Sequence, residues 1–257
     1  MAQLNLKSLI SLVLVALAGV ACSTSPTGRS QMVLKNDQEL AVEAARQFAE
    51  MKANMPLETD RTKIDYIHCV AQAVVMELPP DYRDLDWEMA IFQSDSVNAF
   101  AMPGGKIGVM TGILKAAQNQ DQLAAVIGHE IAHVTARHAN ERASRGSFSN
   151  VGVQVAAVLL GGGHQGATYS AYEALQAGAA LGIMLPFSRS QESEADVIGL
   201  EYMAKAGFDP RESVPLWQNM GQEAEEAPAE FLSTHPSSEK RIDQLVDQFG
   251  TTLKLYN

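Results

Sequence analysis

His129-Glu130-Ile131-Ala132-His133 gathers two imidazoles and a carboxylate into five consecutive residues. The run around it, Gln122 to His138, has the apolar spacing of a helix. Residues four apart on a helix leave the same face, so both imidazoles can meet one ion. Ring nitrogens so placed bind zinc at about 2.0–2.1 Å. Glu130 lies beside the pair, where it can hold and deprotonate a water whose pKa zinc lowers towards about 7. The chemistry such a pattern serves is metal-assisted hydrolysis with Glu130 as general base. Leu123, Val126, Ile127, Ile131 and Val134 are left to bury the rest of the helix.

Two histidines need a third ligand. A histidine six places past His133 is absent, since Ala139 stands there. His138 comes one place earlier and projects from another face of a continuous helix. It reads either as a surface residue or as one standing behind the ligands. Further on, Ser188 to Gly199 reads as a second helix, with Glu192 and Asp196 four apart on one face. Glu192 would complete a three-ligand site with a fourth position left for water. Asp196, one turn on, would bond a metal-bound histidine or a group of the substrate. Glu194 competes as a ligand but points away from the face that Glu192 and Asp196 share.

Other elements must position these residues. Asn36 and Glu39 form a capping-box pattern ahead of a helix carrying Leu40, Ala44, Phe48 and Met51. A second helix is expected from about Asp60 to Leu78, where Pro79-Pro80 stops it. Leu85 to Phe92 alternates like a strand, and Val97 to Met102 and Lys106 to Met110 flank a Pro103-Gly104-Gly105 turn. The class predicted is α+β: a mostly helical domain with a small antiparallel sheet. Gly146 to Pro186, between the two ligand helices, sets glycines around apolar helical pieces; its valines are expected either in the core or as a cover over the cleft, with part of the stretch as a lid gating substrate entry.

Composition narrows the alternatives. The 257 residues carry 19 basic and 30 acidic side chains, a net charge of −11, which disfavours a nucleic-acid partner. Cys22 and Cys69 are the two cysteines, too few for a disulfide scaffold or a cysteine-built zinc module. Cys69 is expected to be buried as a small hydrophobe. Lys7 followed by an apolar run of about 14 residues has the build of a signal peptide h-region. Gly19-Val-Ala-Cys22 resembles a bacterial lipoprotein cleavage box. The expected organisation is therefore a signal peptide over 1–21, a lipidated Cys22 with a tether to residue 35, and a metallopeptidase domain over 36–257. Ser23 after the lipidated cysteine resembles the sorting rule that would place the protein in the periplasm, held to the inner leaflet of the outer membrane.

Four segments together carry a resemblance: Asn98-Ala-Phe-Ala-Met-Pro-Gly-Gly105, Gly128-His-Glu-Ile-Ala-His133, Glu192-Ser-Glu-Ala-Asp196 and Thr234-His-Pro236. In this order the chain resembles the HtpX/Oma-type gluzincin zinc metallopeptidases, in particular their periplasmic lipoprotein branch. The resemblance implies one Zn2+ per chain, held by His129, His133 and Glu192. It implies Glu130 as base and Asp196 as a second catalytic carboxylate. Asn98, Ala99 and Phe100 would form an edge strand that pairs with extended peptide substrate. His235 would stabilise the oxyanion or cap the metal in a latent state. The implied substrates are misfolded or damaged envelope proteins, outer-membrane β-barrels among them. The competing expectation is a zinc-stabilised chaperone or assembly factor that holds such clients without cutting them.

Overall fold

The computed structural model describes residues 22–146, 187–226, 231–232, 235 and 239–256. The leader expected over 1–21, most of the cover expected over 146–186, and Thr234 and Pro236 lie outside the described residues. The described residues fall into two compact units, 22–36 with 140–146, and 37–139 with the residues from 187 onward.

In the first unit, β1 (Cys22–Thr24) and β2 (Ser30–Met32) pair antiparallel, with Cys22 opposite Met32. Arg29 grips the buried Glu141 through both guanidinium nitrogens, at 2.9 and 2.7 Å. Leu34 N–H donates to Ser144 Oγ at 2.8 Å, and Asn140 bonds both the N–H and the C=O of Lys35. The stretch expected as a bare tether is thus a hairpin with its backbone tied down. A plain Ser/Thr/Pro/Gly composition does not reveal a salt bridge to a residue 112 positions away.

The second unit is α+β and mostly helical, as expected. Helix α1 (Asp37–Asn54) buries Ala44 and Phe48. Helix α2 (Arg61–Met76) starts where Asp60 accepts from Thr62 N–H, and buries Ile67, Val70, Ala71 and Val74. Cys69 falls between those positions and is exposed, which corrects the expectation of a buried thiol. Short helix α3 (Pro80–Arg83) follows. Strands β3 (Glu88–Phe92), β4 (Ala99–Met102) and β5 (Lys106–Met110) form a sheet in the order β3-β5-β4. The β4–β5 hairpin is antiparallel, as expected. β3 joins the far side of β5 in parallel, Ile91 opposite Val109, so this sheet is mixed. That order leaves β4 at an edge.

Short α4 (Ile113–Ala116) leads to α5 (Gln120–Thr135), capped by Asn119, and α5 packs along α6 (Arg189–Lys205). These two helices touch backbone to backbone. A Cβ on Gly199 would stand 2.8 Å from His129 N, and one on Gly128 would stand 2.8 Å from the Gly199 carbonyl oxygen. Real Cβ atoms do not come that close, so only glycine at both positions permits the crossing. Helices α7 (Ser213–Glu226) and α8 (Glu239–Thr252) pack beside them. The main core is shared by α2, the sheet, α5, α6 and α7, and includes Ile67, Val109, Leu123, Ile131, Met203 and Met220. No described helix is long and apolar enough to cross a membrane.

Candidate metal centre

Helix α5 turns His129 and His133 to one face, their Nε2 atoms 3.1 Å apart. Glu192 comes from the first turn of α6, whose start is fixed by a capping box between Ser188 and Gln191. Its carboxylate lies 3.5 Å from His129 Nε2 and 3.4 Å from His133 Nε2. His235 brings Nδ1 to 3.1 Å from His129 Nε2 and 3.1 Å from Glu192 Oε1. One donor atom from each of these four residues lies within 4.8 Å of every other, and all four residues are buried.

The fit to a metal can be judged on these edges. Four donors bound tetrahedrally at about 2.0–2.1 Å are about 3.3–3.4 Å from one another. Five of these separations, taken to one or other Glu192 oxygen, are 3.1–3.5 Å, close to those edges, and all four donor atoms lie within 4.8 Å of one another. Imidazole nitrogens and a buried carboxylate converging on one point are the donor types that zinc takes. The residues present fit a zinc ion.

Behind His129 stands Asp196, its Oδ1 2.9 Å from His129 Nδ1. Arg241 of α8 clamps Asp196 with Nε at 2.7 Å and Nη2 at 2.6 Å, and reaches Glu192 through Nη1 at 3.0 Å. Its guanidinium lies 3.5 Å over the Trp217 ring. Behind His133 stands His138, with the two Nδ1 atoms 2.8 Å apart, and behind His138 stands Glu194, 3.0 Å from Nε2. Phe187 stacks on the His133 ring at 4.0 Å, and Phe231 on His235 at 4.4 Å.

Electrostatics follow the same division. Burial works to lower the His129 imidazole pKa, but bonds to Asp196 and Glu192 outweigh it and hold it at about 9 without metal. Burial holds His133 well below the ordinary histidine value, and the neighbouring His129, His235, His138 and Arg241 add to this. Burial opposes ionisation of Glu192, yet His129 and His235 bonded to it keep its pKa low. Burial likewise opposes the charge on Asp196, and the Arg241 guanidinium overrides it. Glu130 is raised, chiefly by burial.

Glu130 Oε2 accepts from Ala101 N–H at 3.3 Å, while Oε1 makes no hydrogen bond among the described residues and stands 3.4 Å from His235 Nε2. Ala101 lies on β4. Met110 N–H bonds Asn98 O, so by antiparallel alternation Phe100 faces β5 and Ala101 N–H points off the sheet edge. The predicted stretch Asn98-Ala99-Phe100 therefore adjoins the site, and its contact with the site is made one residue on. The Phe100 ring crosses Gly108 and meets Phe48, away from the donors.

His129, His133, Glu192 and His235 are thus brought together, with Glu130 and Asp196 beside them. Glu194 points away from the donors, as expected, and bonds His138. His138 is fully buried, which removes the surface alternative. Arg241 and Trp217 were not singled out by spacing. Arg241 lies 45 positions after Asp196, and nothing local announces the pairing.

The sequence profile of peptidase family M48 matches residues 62–248. The chain is 40% identical over 164 residues to the mitochondrial metalloendopeptidase OMA1 of Schizosaccharomyces pombe, a match covering 63% of this chain and 46% of the relative. It is 38% identical over 157 residues to the enzyme of the same name in Arabidopsis thaliana, covering 61% and 30%. The beta-barrel assembly-enhancing protease of Escherichia coli K12 is 29% identical over 198 residues, covering 75% and 40%. The chain spans less than half the length of each of these relatives. The matches also correct the expected location. Relatives at 40 and 38% identity are mitochondrial by name, which speaks against the expected periplasmic lipoprotein. One lysine, an apolar run and a cysteine are a weaker signal than kinship across the folded domain.

Proposed function

The chain belongs to peptidase family M48 and is a metalloprotease, and on that premise we propose that it is a zinc-dependent endopeptidase cutting extended segments of misfolded or damaged proteins. The observation that carries this reading is the buried donor set of His129, His133, Glu192 and His235 with an unbonded Glu130 oxygen beside it. When bound, zinc would polarise a carbonyl and acidify water.

The protein's residues would do the rest. An extended peptide adds to the edge of β4, using the outward backbone groups of Ala99 and the outward carbonyl of Ala101, whose N–H is already given to Glu130. That register brings its carbonyls past Glu130. Burial raises the Glu130 carboxylate, so it is a better proton acceptor than an exposed glutamate. It takes the water proton and delivers it to the leaving amine. Asp196 and Arg241 hold His129 and Glu192 in place throughout. His235 contributes a fourth protein donor, the arrangement of a closed site. Substrate access then requires His235 to withdraw, after which its ring is placed to bond the oxyanion. One relative is named for β-barrel assembly, so partly assembled β-barrel proteins are included among the proposed substrates.

Casein cleavage by the purified protein, with zinc measured on the same sample, tests the reading. Glu130→Gln is expected to retain about one zinc per chain and lose roughly 10²–10⁴-fold of activity. Full proteolysis by that variant would refute the role of Glu130, and absence of zinc after supplementation would refute the metal site.

A further inference from the structure

His138 and Glu194 take no part in the chemistry above, yet both are buried and aligned behind His133. We propose that they are positioning residues: a buried imidazole relay, ending on a carboxylate, that locks His133 in the one tautomer able to bind metal. The proposal rests on His133 being a metal ligand, and it adds to that reading a function for two further side chains.

The direction of each bond follows from donor and acceptor counting. His133 turns Nε2 into the donor set, where it faces His129 Nε2 at 3.1 Å. A nitrogen that binds metal offers a lone pair, so the His133 proton sits on Nδ1. Nδ1–H of His133 then donates to His138 Nδ1 at 2.8 Å. That nitrogen must accept, which puts the His138 proton on Nε2, and Nε2–H donates to Glu194 Oε2 at 3.0 Å. The reverse assignment has Nδ1–H of His138 donating to His133. It would place the His133 proton on Nε2 and remove a ligand. Only one arrangement of protons satisfies both bonds and leaves a metal donor.

The backbone is shaped for this. Helix α5 ends at Thr135, and Arg137 takes a left-handed φ of 57°, rare for a residue with a side chain. Arg137 is held there in part by an ion pair to Asp37 at 2.5 Å. The reversal brings His138 back behind His133 rather than onto the next face of a continuing helix. Glu194 sits two residues past Glu192 on α6, so one helix supplies a ligand with one side and the end of the relay with the other.

Nitrogen-15 imidazole NMR of the full-length zinc-loaded protein tests the relay without a substitution. The expected spectrum has His133 protonated at Nδ1 and His138 at Nε2 alone. His138 protonated at Nδ1, or at both nitrogens, would overturn the proposal. Zinc affinity, read by competition with a chelator, supplies the second test. His138→Phe is expected to weaken zinc binding about 10–100-fold. Glu194→Gln, which keeps an acceptor for Nε2–H, is expected to stay within a few-fold and preserve both tautomers, whereas Glu194→Leu is expected to lose the His138 tautomer. Wild-type affinity in a folded His138→Phe variant would sink the relay and leave the metal site standing. Failure of the wild type to bind zinc would sink both.

Discussion

The two histidines of the HExxH helix are held from behind in opposite ways. His129 is backed by charge: Asp196 bonds its Nδ1, and Arg241 clamps Asp196 and Glu192 together. His133 is backed by a second imidazole, with the carboxylate of Glu194 one ring further away. The ionic side lifts its histidine to about 9, while burial, with the neighbouring His129, His235 and His138 adding to it, holds His133 well below the ordinary value. The same residue type, one helical turn apart, therefore meets a metal in two states of readiness. His133 already offers its lone pair, and His129 must first give up a proton. Charge behind a ligand adds holding power at the cost of competition from protons, and a neutral backing avoids that competition.

The largest expected effect comes from removing the charged clamp. Arg241→Leu leaves Asp196 and Glu192 buried without their shared cation, a loss of about 3–5 kcal/mol by chemical denaturation. If this variant is as stable as the wild type, the ionic side is not what holds α8 against α6. Asp196→Asn keeps an acceptor for His129 but weakens the clamp, for about 1.5–3 kcal/mol.

pH sharpens the contrast. In the zinc-free protein His129 is raised from 6.5 to about 9, so its stabilising contribution is complete below pH 6.5 and is lost as pH rises through about 9. The melting temperature of zinc-free protein should fall by a few degrees, about 2–4 °C per kcal/mol, across that window, and Asp196→Asn should flatten the fall. An unchanged slope in Asp196→Asn would break the assignment of the shift to Asp196. The smallest effect is expected on the other side. Glu194→Gln swaps one acceptor for another and should cost about 0.5–1.5 kcal/mol, well below Asp196→Asn.

What could be read in the sequence followed from local periodicity. A spacing of four puts His129 and His133 together, and again Glu192 and Asp196, because both pairs lie within single helices. The β4–β5 hairpin was legible from its turn residues. The parallel placement of β3 was not, since alternation marks a strand and not its neighbour. His138 defeated a face argument because the helix stops at Thr135 and the chain reverses at Arg137. Cys69 lies on a helix whose buried face is set by Ile67, Val70 and Val74, one position out of phase with it. Arg241 reaches the site through the docking of α8, and Arg29 reaches Glu141 through the folding back of the hairpin. Both are consequences of tertiary packing that no window of sequence contains.

The contact between Gly128 and Gly199 has a consequence for which ion the site accepts. Because His129 N and Gly199 already meet at backbone distance, the gap between the two ligand helices works as a fixed caliper. Side chains can rotate, but the helix axes have no soft layer between them to compress or widen. The separations of 3.4–3.5 Å between the Glu192 carboxylate on one helix and the His129 and His133 nitrogens on the other depend on that crossing. Ca2+, which takes six to eight oxygen ligands at about 2.3–2.6 Å, suits neither these separations nor a set of three imidazoles and one carboxylate. A single methyl group added at position 199 would meet His129 N at 2.8 Å and so would force one ligand helix away from the other.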